Sequence, residues 1–479
     1  MKIVLEYLGY LLILASFLTI LPIGTAIIYQ EPVLELIITT TLFLVLGLFS
    51  LLLSTNGVYL TFFNKPVHER FTIERALLVV TSSFVIIPAI SAFSFMSSMN
   101  GSYIDSFFEC VSGFTTTGLS VYPTIAGLPK SIIMWRAVMQ WVGGLGIIAI
   151  FIFLFSKLKM HSHGVDEEVD PLANRKLYVA SGFSTRMEPT VQKSTMHILV
   201  LYCLYTLLGI ILLLGSGTTL FDSIALAFTA ISTGGFVPVE NMIFSNGQLF
   251  SLSLLMILGA ISFLNHDALF HRKNLKKFFT NIEFVSLMSI LTIAVAISYH
   301  FVGSFKIAFF QTLAALTGTG YSIAHIPGLP QMSIFIIIVC MLIGGSMGST
   351  TGGIKQYRII TFIKTIPWMI KKSISPPTAI VNLEVGGKYL EDRDALLTLV
   401  FIGTFIVRFG IGTFVFVFLD YSLVDSAFQA ASALGTVGLS TMPLHSVPFI
   451  GKLTLIVLMI LGRLEIFPFF LLLRKFIKK

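Results

Sequence analysis

Long apolar runs, broken by short polar or glycine-rich stretches, fill the chain from one end to the other. They stand at roughly 8–30, 34–55, 76–98, 131–156, 194–216, 247–264, 284–303, 331–343, 396–419 and 450–473. A helix needs about 20 mostly apolar residues to cross a bilayer. The pattern therefore predicts about ten transmembrane spans. The first run is longer than the core of about 7–15 residues in a signal peptide. It also lacks a strongly basic start and ends in Gln30-Glu31-Pro32 without a convincing cleavage site, so it reads as a transmembrane helix.

Four connections between spans are moderately apolar yet too short to cross, and they repeat. They run over 104–123, 221–240, 305–324 and 424–443. Each leads a helix-compatible stretch into a small-residue tetrad ending in glycine. The tetrads are Thr115-Thr116-Thr117-Gly118, Ser232-Thr233-Gly234-Gly235, Thr317-Gly318-Thr319-Gly320 and Gly435-Thr436-Val437-Gly438, each followed by a bulky residue (Leu119, Phe236, Tyr321, Leu439). In three copies an Asp-Ser pair begins 13 residues before the last glycine, at Asp105, Asp222 and Asp425. These aspartates are expected to cap the short helix. The third copy has Ile307 there and is the divergent one. A span, a half-helix, a glycine-tipped segment and a second span thus recur four times, and fourfold repetition around a point suggests a pore.

Irregular backbone survives at membrane depth only where it is buried in protein or lines a water-filled path. Glycine permits dihedrals that turn successive carbonyls toward one axis, and Thr adds a hydroxyl. Rings of carbonyl oxygen replace the hydration shell in potassium channels, and these loops are a degenerate version of that pattern. The half-helices would aim their negative C-terminal dipole ends inward, favouring a cation. No acidic residue lies within a tetrad, which argues against a charged-ring filter for divalent cations. The ion-binding candidates are Thr116, Thr117 and Gly118; Thr233, Gly234 and Gly235; Gly318, Thr319 and Gly320; and Thr436, Val437 and Gly438.

Composition agrees: of 479 residues 55% are hydrophobic and only 11% charged, against about 25% charged in soluble domains. Three scattered cysteines (Cys110, Cys203, Cys340) cannot build a disulfide framework or a Cys-rich metal site. The net charge of +8 raises the question of nucleic acid, but the distribution of the charge answers it. Of the 31 basic residues, all but six fall at alternate chain crossings on one side. Lys130, Arg136, Lys306 and Lys452 lie on the other side, and Arg408 and Arg463 inside spans. The rich side is cytoplasmic by the positive-inside rule, which places both termini inside and gives all four repeats the same orientation. A secondary transporter built on inverted repeats is therefore the less favoured class. No Walker lysine follows a glycine loop, so the chain is not expected to hydrolyse ATP, and no enzymatic activity is expected.

The second span of the third repeat is unusual. Apolar residues Gln331 to Ile343 meet ten positions rich in Gly, Ser and Thr, and the apolar pattern resumes over Ile354 to Ile370. A straight helix through all of it would be about 60 Å long, twice the hydrocarbon thickness. The helix must break, and the freed backbone groups should line the pore under the filter. The competing reading is a packing seam of small residues, Gly344 to Gly348 to Gly352. Arg463 in the last span is costly in lipid and faces either a cavity, as an electrostatic brake below the filter, or a buried acid. Arg408 reads equally as a pore charge or a helix contact.

The tetrads, the stretch Gly344-Gly345-Ser346-Met347-Gly348-Ser349-Thr350-Thr351-Gly352-Gly353-Ile354-Lys355 and Gly462-Arg463-Leu464-Glu465 together resemble the superfamily of potassium transporters that comprises bacterial TrkH and KtrB, fungal Trk and plant HKT proteins. The resemblance covers nearly the whole chain, and the two extra N-terminal spans look like the TrkH subgroup. It implies an all-α integral membrane protein in which four pseudo-fourfold span, pore-loop, span repeats surround one ion pore. In that family serine at the place of Gly118 goes with sodium permeation, so Gly118 implies potassium as the ion taken up. The resemblance also implies a movable gate of Gly345, Ser346, Gly348, Ser349, Thr350, Gly352 and Gly353, with Lys355 at its cytoplasmic end and Arg463 beside it. It further implies a homodimer in the cytoplasmic membrane and a cytosolic RCK-type, TrkA-like regulatory subunit that binds the nucleotide, with no covalent cofactor on this chain. The division expected is 1–75 (N-terminal helix pair), 76–160, 161–264, 265–370 and 371–479 (the four repeats).

Remaining features take plainer readings. Asp166, Glu167, Glu168 and Asp170 beside His161 and His163 fit no calcium loop and read as a solvated linker. Asn100-Gly101-Ser102 is an outer-side glycosylation sequon. Gly143, Gly144 and Gly146 at the start of a span indicate close helix packing and not a phosphate loop.

Overall fold

The computed structural model describes residues 2–54, 73–99, 101–122, 124–159, 191–239, 244–270, 275–376, 379 and 381–464. Asn100, the acidic run at 166–170 with His161 and His163, Glu465 and the basic C-terminus lie outside them, as do Lys65, Arg70, Arg175, Lys176, Arg186, Arg272 and Lys273. Among the described residues, six helices are long and apolar enough to cross a membrane: Lys2–Tyr29, Leu34–Ser54, Leu77–Phe95, Met196–Gly215, Ile282–Val302 and Asp392–Phe418. Their outward faces carry Ile28, Phe49, Ile211, Ile293 and Phe414, all exposed as bilayer-facing apolar residues are.

The N-terminal pair forms a hairpin of its own. Gly9 and Gly47 let the helices Lys2–Leu18 and Leu34–Ser54 touch: a Cβ at Gly9 would stand 2.9 Å from the Gly47 carbonyl oxygen, and one at Gly47 3.0 Å from that of Gly9.

Four repeats follow. Their first helices are Ile73–Ser91, Val191–Gly215, Ile282–Val302 and Asp392–Phe418. The half-helices are Tyr103–Phe114, Leu220–Ile231, Phe305–Leu316 and Leu423–Leu434, each of 12 residues. The aspartates expected as N-caps stand one turn further in. The caps are Ser102, Thr219 and Ser422, whose hydroxyls accept from the amides of Asp105, Asp222 and Asp425 and donate to those carboxylates at 2.9, 2.8 and 2.6 Å. The hydroxyl of the cap takes the third amide, and the acid sits in the first turn, where the helix dipole favours it and where it can receive the cap hydroxyl in return. In the third repeat, with Ile307, Ser304 makes no side-chain cap.

The second helices are less uniform. Repeat 1 has the continuous Lys130–Lys159. In repeat 2, Asn246–Ala260 stops at Ile261 and resumes as Phe263–Phe270, a break the continuous apolar run did not signal. In repeat 3, Gln331–Ile343 is interrupted as expected and resumes at Gln356–Ile374. Repeat 4 ends its described part with Phe449–Arg463. The circle closes where Lys452 of repeat 4 meets Asp105 of repeat 1 at 2.6 Å.

One small sheet was not foreseen. Leu383–Val385 and Lys388–Leu390 form an antiparallel hairpin around Gly386 and Gly387, both with positive φ. Its apolar side packs under the helix Gln356–Ile374, whose Trp368 indole donates to the Val381 carbonyl at 2.8 Å.

Candidate functional site

All four half-helices end in the same way. The amide of the second tetrad residue bonds the carbonyl three residues back, and that of the third bonds the carbonyl five back: Thr116 to Gly113 and Thr117 to Ser112 in repeat 1, Thr233 to Ala230 and Gly234 to Thr229 in repeat 2. Gly318 with Thr319, and Thr436 with Val437, repeat the pattern. This Schellman arrangement demands a left-handed second residue. It is found at Thr116 (φ 55), Thr233 (φ 53), Gly318 (φ 69) and Thr436 (φ 51). A β-branched residue there costs about 1–2 kcal/mol, which the surrounding packing must offset. The fourth residue is again left-handed in every repeat, at Gly118 (φ 83), Gly235 (φ 78), Gly320 (φ 77) and Gly438 (φ 97).

The four tetrads meet in a closed ring. A Cβ placed on Gly118 would collide with the carbonyl oxygen of Gly234, and one on Gly235 with that of Thr319. Gly320 stands in the same relation to Val437, and Gly438 to Thr117. The fourth residue of each repeat thus lies on the third carbonyl of the next, in the order 1, 2, 3, 4 and back to 1. All twelve residues singled out from the sequence are brought together here. The hydroxyls of Thr117 and Thr319 are engaged at the back of the ring by Thr115 (2.8 Å) and Thr317 (3.0 Å), leaving carbonyls as what these residues can offer. Among the described residues, the buried hydroxyls of Thr116 and Thr436 have no hydrogen-bond partner.

Behind the ring stands a polar bracket that the sequence reading missed. Nine residues before the last tetrad glycine are Glu109, Gln311 and Gln429, and two residues after it are Ser120, Ser322 and Ser440. These pairs bond at 3.0, 2.6 Å and, for Gln429 with Ser440, 2.5 Å. Their common spacing was the signal that could have found them. Repeat 2 has Leu226 and Val237 instead. In repeat 1 the acid is matched by Arg136 at 2.8 Å, both fully buried, with the guanidinium 3.9 Å from the centre of the Phe236 ring. Glycines let the second helices approach: a Cβ on Gly143, Gly259 or Gly462 would strike the last half-helix carbonyl of its repeat, at Phe114, Ile231 or Leu434.

The interruption at 344–355 forms a loop directly beneath the ring. The Thr350 hydroxyl shares its one proton between the carbonyls of Ile231 (3.1 Å) and Gly259 (3.0 Å) and accepts from Thr233 at 3.2 Å. The amides of Ser346 and Thr350 bond the carbonyls of Ala260 and Gly259, and Phe263 donates to the Gly348 carbonyl. The two broken helices therefore satisfy each other's freed backbone groups. A Cβ on Gly352 would strike the Thr436 hydroxyl and the Gly435 carbonyl, and one on Gly318 would stand 3.6 Å from the Gly352 amide. The loop hence touches the second tetrad residue of repeats 2, 3 and 4.

Arg463 ties it to repeat 1, donating to the Thr350 carbonyl at 2.8 Å and to the carbonyls of Gly143 and Gly144. Backbone oxygens thus receive this guanidinium at the loop. Lys355, expected at the cytoplasmic end, is buried and bonds back to the carbonyl and hydroxyl of Thr351. Ser349 closes the loop internally through Ser346 and Thr351, and Gly353 backs onto Gly344.

Comparisons with known proteins identify the family and the fold. The family TrkH, described as cation transport protein, matches residues 49–292 and 278–478. An uncharacterized cation transporter of Methanocaldococcus jannaschii is 30% identical over 474 residues, covering 97% of this chain and 94% of its own. The Trk system potassium uptake protein TrkH of Escherichia coli is 26% identical over 485 residues, covering 96% and 95%. The crystal structure of the potassium transporter TrkH from Vibrio parahaemolyticus shares the fold with a TM-score of 0.82 at 22% identity, over 98% of each chain. A closed ring of four glycine-ended loops and a match over nearly the whole length lead to one conclusion: the chain is a membrane transporter of the TrkH family of cation transport proteins.

Proposed function

We propose that the chain takes up potassium across the cytoplasmic membrane through the ring of four tetrads, with the 344–355 loop as its gate. The observation that carries the reading is the ring itself, in which each fourth-position glycine abuts the third carbonyl of the next repeat. Such a ring presents backbone oxygens and no acidic side chain, the chemistry that replaces the hydration shell of a weakly hydrated monovalent cation. The 12-residue helices end at it with their negative dipole poles. Relatives named as Trk system potassium uptake proteins support the choice of ion.

The loop suits a gate because it lies across the inner side of the ring and is held by a handful of hydrogen bonds that can break together. Withdrawing it would open the path, and Arg463 beside it places a positive charge where cations must pass. We place both termini in the cytoplasm, on the strength of the basic clusters. A homodimer with one pore per protomer, and a cytosolic RCK-type subunit that binds the nucleotide and moves the loop, complete the reading by family likeness.

Uptake of potassium, rubidium, sodium and lithium into liposomes holding the purified protein tests it. Potassium and rubidium should enter well ahead of the other two, and sodium entering as fast as potassium would overturn the filter assignment.

A further inference from the structure

Repeat 2 departs from the others at the third tetrad position. Repeats 1, 3 and 4 carry Thr117, Thr319 and Val437 there, all with buried side chains packed behind the ring. Repeat 2 has Gly234, and its backbone does not call for glycine, because its φ lies outside the left-handed region that Gly235 occupies. What excludes a side chain is Gln140, from the second helix of repeat 1. A Cβ on Gly234 would collide with the Gln140 carboxamide carbon and stand within 2.8 Å of its nitrogen.

That carboxamide is fully buried and engaged at both ends. Its Nε2 donates to the Gly234 carbonyl at 2.7 Å, and its Oε1 accepts from the Phe236 amide at 3.0 Å. It therefore grips the backbone on both sides of Gly235. The Gly234 oxygen it holds is the one against which Gly118 packs. One turn away on the same helix, Arg136 stacks on Phe236. Repeat 2 also lacks the bracket of Glu109 or Gln311 type, so Gln140 supplies from a neighbouring repeat the support that the other loops draw from their own half-helix.

We propose that Gln140 is a specificity-determining positioning residue of the pore: its carboxamide takes the place of the side chain missing at Gly234 and fixes the carbonyl geometry of the second quadrant. The proposal rests on the reading of the tetrads as a potassium filter. It adds that selectivity depends on a residue outside every tetrad.

The test is reciprocal replacement, read as the potassium to sodium flux ratio and total rubidium flux in liposomes. Gln140→Met keeps the volume and removes both hydrogen bonds. It should lower the ratio by roughly tenfold, the effect of losing one or two hydrogen bonds of ordinary strength. Gly234→Val alone should strike the carboxamide and impair flux and ratio, whereas Gln140→Ala with Gly234→Val should recover most of both, because valine is the residue found at the same place in repeat 4. A wild-type ratio in monodisperse Gln140→Met protein would overturn the proposal, and so would a double variant no better than Gly234→Val. Absence of selectivity in the wild-type protein would overturn the potassium reading instead. Recovery of rubidium flux by the double variant would then still decide whether the two residues share one space.

Discussion

The hydroxyls of Thr233, in the second tetrad, and Thr350, in the intramembrane loop, lie 3.2 Å apart, so the loop and the ring are in direct contact. Thr350 also donates to the carbonyls of Ile231 and Gly259. Thr350→Val keeps the shape and removes one donation, shared between the two carbonyls, and one acceptance, worth about 0.5–1.5 kcal/mol apiece. The closed position should weaken, and rubidium flux without any regulatory subunit should rise by roughly tenfold. Unchanged flux in a stable variant would mean that this contact does not hold the pore shut.

Arg463 joins the loop to the second helix of repeat 1 through the carbonyls of Thr350, Gly143 and Gly144. Arg463→Ala removes both a tether and a positive charge beside the path, and flux should increase by several-fold. Arg463→Lys, with the charge but without the two-handed geometry, should fall between. Lower flux from Arg463→Ala at normal expression would instead make the guanidinium a structural brace.

Gly118→Ser should reduce the ratio of potassium to sodium flux. The position is left-handed, and any Cβ there meets the Gly234 carbonyl, so the oxygen must move. Comparison of the two ions in the same vesicles decides it, and an unaltered ratio in folded protein would remove Gly118 from the selective ring.

Removal of residues 345–352 should give high flux that no longer answers to a regulatory subunit or its nucleotide. The deletion also exposes the carbonyls of Gly259 and Ala260 that the loop satisfies. A thermal-stability measurement is needed beside the flux. A folded deletion variant that stays closed would show that the gate lies elsewhere.

The parts of this site that were legible in the sequence are those in which one chemical need recurs. Four tetrads repeat one small-residue, glycine-ended pattern, and five glycines among positions 344–353 announce an interruption of the helix; in the structure Gly344, Gly348 and Gly353 do take positive φ. The break at Ile261 was not legible, since its cause lies in another repeat: the amides of Ser346 and Thr350 take the carbonyls of Ala260 and Gly259. Gln140 was hidden for the same reason, its partners being about a hundred positions away. The half-helix caps were misplaced by one turn because Asp and Ser both favour that end, and only geometry says which side chain reaches the third amide. The hairpin at 383–390 did carry a local signal in Gly386-Gly387, which fits a two-residue turn.

Because the ring is made by one polypeptide, its four quadrants are free to differ, and they do: threonine, glycine, threonine and valine occupy the third position. In a pore assembled from four identical chains every substitution is imposed four times, so a small change in oxygen placement is multiplied and soon intolerable. Here a change is made once. On the proposed reading of the ring as the filter, ionic preference can consequently drift in small steps, one loop at a time, while the other three keep the passage working.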